Sequence, residues 1–197
     1  VPVKGYFIQY KFIIPSNIKH SSYTYQKLFR ALYGYSQTVT KSNGKTYNYL
    51  RHGVLSKSPY IKHGKNCVII QPNQFQELIN FFKTGKNPAH SWITKGDWKA
   101  VYYLNEKDLE DDHVVKALED WVDRTYITTP SNEFSQLHSE LEKMKNSVIA
   151  GEKLNQTHQK NLIDSAQKII NSYWFKQVYS KSPKLKQFYS IYNSLKE

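Results

Sequence analysis

The chain opens on a run rich in Tyr, Phe and Ile over residues 5–14 that stops at Pro15, which predicts a strand. Ser21 and Ser22 then offer N-caps for a helix over 23–33. Its apolar positions, Tyr25, Leu28, Phe29 and Leu32, fall at helical spacing, and Gly34 is placed to end it. Residues 36–41 alternate polar and β-branched side chains, Asn43-Gly44 follows, and residues 45–50 resume a strand-like run. Asn-Gly between two such runs is the strongest short-range hairpin signal, because both residues tolerate positive φ. The predicted tip is Lys41-Ser42-Asn43-Gly44-Lys45, with a lysine on each flank.

Residues 51–65 read as a loop or irregular ribbon, and 67–71 as a short buried strand by Val and Ile content. Pro72 and Asn73 open a helix over 74–83 with apolar Phe75, Leu78, Ile79 and Phe82. A loop is expected over 85–88, and a hairpin or bent strand over 91–104, broken at Gly96-Asp97 and carrying Trp92 and Trp98. Residues 108–124 form an amphipathic pattern with the stripe Leu109, Val114, Leu118, Trp121 and Val122, and its acids crowd the first turn, where they suit the helix dipole. Composition shifts at Thr128-Thr129-Pro130-Ser131, and the rest reads as helical. Leu137, Leu141, Met144 and Val148 recur at helical spacing, a second helix runs from 154 to about 179, and a third over 184–195 follows Pro183. The expected fold is therefore α+β: a basic domain over 1–128 with a β-hairpin, then a helical region over 129–197 that can form a helical hairpin.

Charge sharpens this division. The chain of 197 residues carries a net charge of +12, but residues 1–104 hold 15 Lys/Arg against Glu77 and Asp97 alone. The first 76 residues contain eleven basic side chains, nine tyrosines and no acid. A solvated face normally mixes signs. An acid-free module concentrates anions, and charge asymmetry between halves is the pattern of a nucleic-acid or membrane contact.

Phosphates need Lys and Arg, whose binding releases counterions, and unpaired bases need flat side chains to stack on. The expected contact surface for DNA or RNA comprises Lys27, Arg30, Lys41, Lys45, Tyr47, Tyr49, Arg51, Lys57, Lys62 and Lys65. Tyr47 and Tyr49 should share one face of the hairpin with Lys45 and Arg51, since strand residues alternate. A hairpin directly after a helix suggests the wing of a winged-helix module, although only one good helix precedes it. The carboxyl-terminal lysines and aromatics, among them Lys181, Lys184, Trp174 and Phe188, read first as an amphipathic helix with its rings inward, and otherwise as a second contact with the polymer or a membrane surface.

Chemistry has few candidates. His52 and His63 each stand between a cation and a glycine, as Arg51-His52-Gly53 and Lys62-His63-Gly64, and could serve a metal-independent endoribonuclease. The favoured reading is non-catalytic binding. A third is an interaction module for an acidic protein, with a homodimer through the carboxyl-terminal helices. No Walker loop, GxGxxG or zinc-ligand spacing occurs, so no cofactor or metal is expected. Cys67, the single cysteine, reads as a core residue. A lone thiol, no long apolar run and no signal-peptide pattern give the expectation of an intracellular protein, cytoplasmic or in the nucleoid or nucleus.

Overall fold

The structure, a computed structural model, describes residues 1–86 and 97–196. Part of the loop expected over 85–88 lies outside the described residues, as do residues 91–96 of the expected hairpin or bent strand, with Trp92 and Gly96. The fold is α+β, and the chain forms two compact units: Gly5–Lys107, and Val1–Lys4 with Asp108–Glu197. The first holds 15 of the 28 Lys/Arg and 3 of the 16 Asp/Glu, so it carries the whole net charge.

The basic unit is built on a four-stranded sheet of order β4-β5-β1-β6, comprising β1 (Val3–Ile13), β4 (Tyr60–Lys62), β5 (Cys67–Ile70) and β6 (Lys99–Leu109). β1 pairs antiparallel with β5, setting Tyr6 opposite Ile70 and Gln9 opposite Cys67, and β4 pairs with β5 through Ile61 and Ile69. Alternation puts Ile8, Tyr10 and Phe12 on one face of β1, where they join Val68 and Ile70 in the core. Two helices cover that face: α1 (Tyr23–Tyr33) through Leu28, Ala31 and Leu32, and α2 (Phe75–Thr84) through Leu78, Ile79, Phe81 and Phe82. Aromatic edges fill the middle, with Phe12 meeting Phe29, Phe82 and Trp98 at centroid distances of 5.4–6.1 Å. The α1 caps follow the sequence: the Ser22 side chain accepts from Tyr25 N, and Gly34 N donates to Arg30 O; Gly85 takes the left-handed conformation after α2.

The hairpin of β2 (Tyr35–Thr40) and β3 (Thr46–Arg51) forms its own two-stranded sheet. Its turn differs from the expected one, since Gly44 alone has positive φ (74°) and Asn43 does not. Gly44 N donates to Lys41 O, Lys41 N to Lys45 O, and the Asn43 side chain accepts from Lys45 N. A left-handed glycine after such a turn absorbs the strand twist, so one residue with positive φ suffices. Residues 51–65 are less irregular than expected, because Tyr60–Lys62 adds β4 to the sheet edge.

The second unit contains α3 (Asp111–Asp123), the short hairpin β7 (Tyr126–Thr128) and β8 (Phe134–Gln136), α4 (Leu137–Ile149), α5 (Gln156–Ile170), α6 (Tyr173–Val178) and α7 (Pro183–Lys196). α3 packs with α4, α6 and α7 through Val114, Leu118, Trp121 and Val122. The compositional shift at Thr128–Ser131 falls on the β7–β8 turn, where Asn132 has φ of 62° and donates its N–H to Thr129 O. Residues 154–179 do not form the single helix expected. The Ser172 side chain accepts from Phe175 N and starts a new helix, so the local cap outweighs the continuous apolar spacing. Trp174, Phe175, Phe188 and Tyr192 point inward, and Trp174 Nε1 donates to Lys4 O at 2.9 Å. Leu137, Leu141 and Met144 are buried within this unit, so these members of the candidate dimer seam are occupied by intrachain packing.

Candidate nucleic-acid interface

The hairpin register sets Tyr35 opposite Arg51, Gln37 opposite Tyr49 and Val39 opposite Tyr47. These six residues therefore share one face. The other face is uncharged and mostly hydroxyl-bearing, with Leu50 opposite Ser36: the Thr38 hydroxyl donates to Asn48 at 2.8 Å, and the Thr40 and Thr46 hydroxyls meet at 3.3 Å. The basic face is backed by rings. Lys41 Nζ lies 4.6 Å from the Tyr47 centroid, and the Arg51 guanidinium lies 5.5 Å from Tyr49. Arg30, on α1, covers Tyr35 at 4.9 Å and Tyr23 at 5.3 Å, and Lys27 also covers Tyr23 at 4.7 Å. One cation–aromatic row thus runs from the first turns of α1 along the hairpin to its tip.

Each such contact is worth about 0.5–1 kcal/mol at an exposed site. Its main effect here is to hold long cationic side chains extended beside the rings, which lowers the entropy lost when they meet an anion. Several hairpin tyrosines therefore support cations, where the sequence suggested stacking platforms. Lys41, Lys45 and Arg51 are exposed, and Tyr47 is 36% exposed.

The row is anchored by a backbone crossing. Gly34 and Gly53 pack so closely that a Cβ on Gly53 would lie 2.3 Å from Gly34 N, and one on Gly34 would lie 2.5 Å from Arg51 O. Ser56 closes the crossing, accepting from Gly53 N and donating to Tyr33 O. Val54 N and Leu55 N donate to the carbonyls of Ala31 and Leu32. Both strands of the hairpin thus leave a base tied to α1.

The remaining expected residues are distributed differently. Lys57 sits near Glu77, whose carboxyl is raised by burial and partly restored by that lysine. Lys62 lies 4.1 Å over the Tyr33 ring, and Lys62 and Lys65 line a concave groove with Tyr10, His20, Tyr25 and Tyr33. His20 was not among the expected site residues. Its signal was the short segment between Pro15 and the Ser22 cap, which sets it beside Tyr25. His52 follows β3 at the hairpin base, while the His63 ring meets Phe7 edge-on at 5.7 Å in the turn after β4.

In the helical unit the charges close on each other. Lys181 reaches Asp111, Lys184 Nζ lies 2.6 Å from Asp123, and Lys4 Nζ lies 2.5 Å from Asp108. Those lysines are partnered by carboxylates on or beside α3, which opposes their use on phosphate. Among the described residues, no group of three or more His, Cys, Asp or Glu side chains could hold a metal ion. Among the same residues, no helix is long and apolar enough to cross a membrane. Comparisons with family models, curated proteins and solved structures return no match.

Proposed function

We propose that the protein binds DNA or RNA without cleaving it, and that its Gly5–Lys107 unit grips the phosphate backbone through the row Lys27, Arg30, Arg51, Lys41 and Lys45. The observation that carries this reading is the ring-backed row of cations within a segment that has no acidic residue. A protein partner of acidic character would also favour positive charge. A row of several cations along an extended hairpin suits a polymer that presents charge repeatedly along its length, as a phosphate backbone does.

The test is fluorescence anisotropy with labelled oligonucleotides over a series of salt concentrations, with products run on a denaturing gel. Each phosphate contact contributes about 0.9 to the slope of log K against log salt for duplex DNA and about 0.7 for a single strand. Changing Lys41, Lys45 and Arg51 together to Ala should flatten the slope by about 2–3. An unchanged slope, or no binding at low salt, overturns the proposal. Cut product that disappears in His52→Ala would replace it with the ribonuclease reading.

A further inference from the structure

Beside the hairpin base, the basic unit carries a groove of two adjoining hollows, with cavity volumes of about 590 and 430 Å³. Each falls in the range of small-molecule sites. The two share Tyr10, His20, Tyr25, Lys65 and Asn66 as lining. His20 and Tyr25, which line both hollows, stack face to face, with ring centroids 4.6 Å apart and planes within 9° of parallel. Lys11, Tyr102 and Tyr103 line the larger hollow, and Tyr33 and Lys62 the smaller. Among the described residues, no acidic side chain lines either hollow.

The stack is built by the fold. Ser22 N donates to Lys19 O, which closes a turn carrying His20 up to the start of α1. Tyr25 stands on the first turn of α1, and its ring meets that of Phe29 edge to face at 5.2 Å. Opposite it, Asn66 has φ of 56° and its carbonyl accepts from Tyr10 N, which fixes the rim where Lys65 projects. At the floor the Tyr10 and Tyr33 hydroxyls lie 2.9 Å apart. One O–H is used inside that pair and the other can donate to a ligand. Burial raises both phenols, so they remain neutral donors at physiological pH.

We propose that this groove is a second site, distinct from the hairpin row, that takes two consecutive unpaired bases of a single strand, one in each hollow, packed against the shared His20–Tyr25 stack. Stacked flat rings set among lysines match bases joined by phosphates. Lys65 lies at the junction of the hollows, where the linking phosphate would pass, and Lys11 and Lys62 flank the two base positions. A base within a duplex has both faces covered by its neighbours and cannot enter such a recess. The groove therefore selects single strands, whereas the hairpin row has no such preference.

The test uses single-stranded octamers with 2-aminopurine at one position and the matching duplex. Stacking quenches this base. Wild type should quench it on binding the single strand. His20→Ala and Lys65→Glu change exposed residues and should leave thermal unfolding unaltered. His20→Ala and Tyr25→Ala should each weaken single-strand binding about five- to hundredfold and restore fluorescence, with duplex affinity unchanged. Lys65→Glu should weaken single-strand binding more than duplex binding. A strand that binds but stays bright overturns the groove site alone, as do groove variants that match wild type or weaken both ligands equally. If neither ligand binds at low salt, the phosphate-binding reading falls with it. If an acidic peptide displaces the strand from the groove more tightly than the strand itself binds, the site belongs to protein.

Discussion

Gly53→Ala isolates the device that holds the hairpin. The new Cβ would lie 2.3 Å from Gly34 N and 2.6 Å from the carbonyl carbon and oxygen of Leu32, where ordinary contact is 3.4–4 Å. All three atoms are backbone. The Leu32 carbonyl accepts from Leu55 N at 2.9 Å, and both residues are essentially inaccessible, so it cannot yield without breaking that bond. Overpacking costs about 1–3 kcal/mol and a strained or lost hydrogen bond about 1 kcal/mol more. For a unit of this size, about 3 kcal/mol lowers the melting temperature by roughly 10–25 °C. Gly44→Ala and Gly64→Ala are the controls. Both positions have positive φ but open space around the missing Cβ, so they lose only the conformational term of about 1–2 kcal/mol. The assay is thermal unfolding by circular dichroism, with segment-resolved hydrogen exchange over residues 5–86 to identify the basic unit as the part that loosens. Oligonucleotide affinity should fall with it, because Arg51 and Tyr35 leave this base. A Gly53→Ala protein that melts at or above the Gly44→Ala protein refutes the close-crossing argument.

In the helical unit, Glu140 is buried beside His158 at 3.3 Å and Lys143 at 2.8 Å. Burial alone would raise its carboxyl, but hydrogen bonds from Lys143, Ser135 and His158 outweigh it and hold the group below its usual value. A depressed carboxyl stabilises the fold above the unfolded pKa of about 4.3, and that stability is lost as pH falls through the folded value. Glu140→Gln should therefore melt below wild type at pH 7, with the gap closing towards pH 3; a gap independent of pH would rule out the linkage. Cys67 is 6% exposed, and burial raises its thiol, with Lys107 opposing only in part. Iodoacetamide should label it far more slowly than an unfolded control at pH 8, and equal rates would show that the strand opens readily.

Local chemistry was legible in the sequence wherever it depends on near neighbours. The α1 cap at Ser22, the hairpin around Asn43-Gly44, the glycine that ends α1 and the inward stripe of α3 each need only a few adjacent residues. Alternation likewise placed Tyr47 and Tyr49 on one face with Arg51. The acid-free stretch was visible as composition, because charge count needs no geometry.

Tertiary structure decided what those residues do. The sequence listed tyrosines and cations together, but only the fold pairs Arg30 with Tyr35 and Lys62 with Tyr33 across separate elements. It sets Lys57 within electrostatic reach of Glu77 and pairs Lys184 with Asp123, residues far apart in the chain. It ends α5 at a serine cap inside an unbroken apolar pattern, since a cap competes locally with a helix that periodicity alone would continue. It also converts two unremarkable glycines into one crossing and brings His20, Tyr25, Tyr33 and Lys65 around one groove. Propensity and periodicity act along the chain. Grooves, ion pairs and steric crossings depend on which distant segments share a core, and that choice is made by packing.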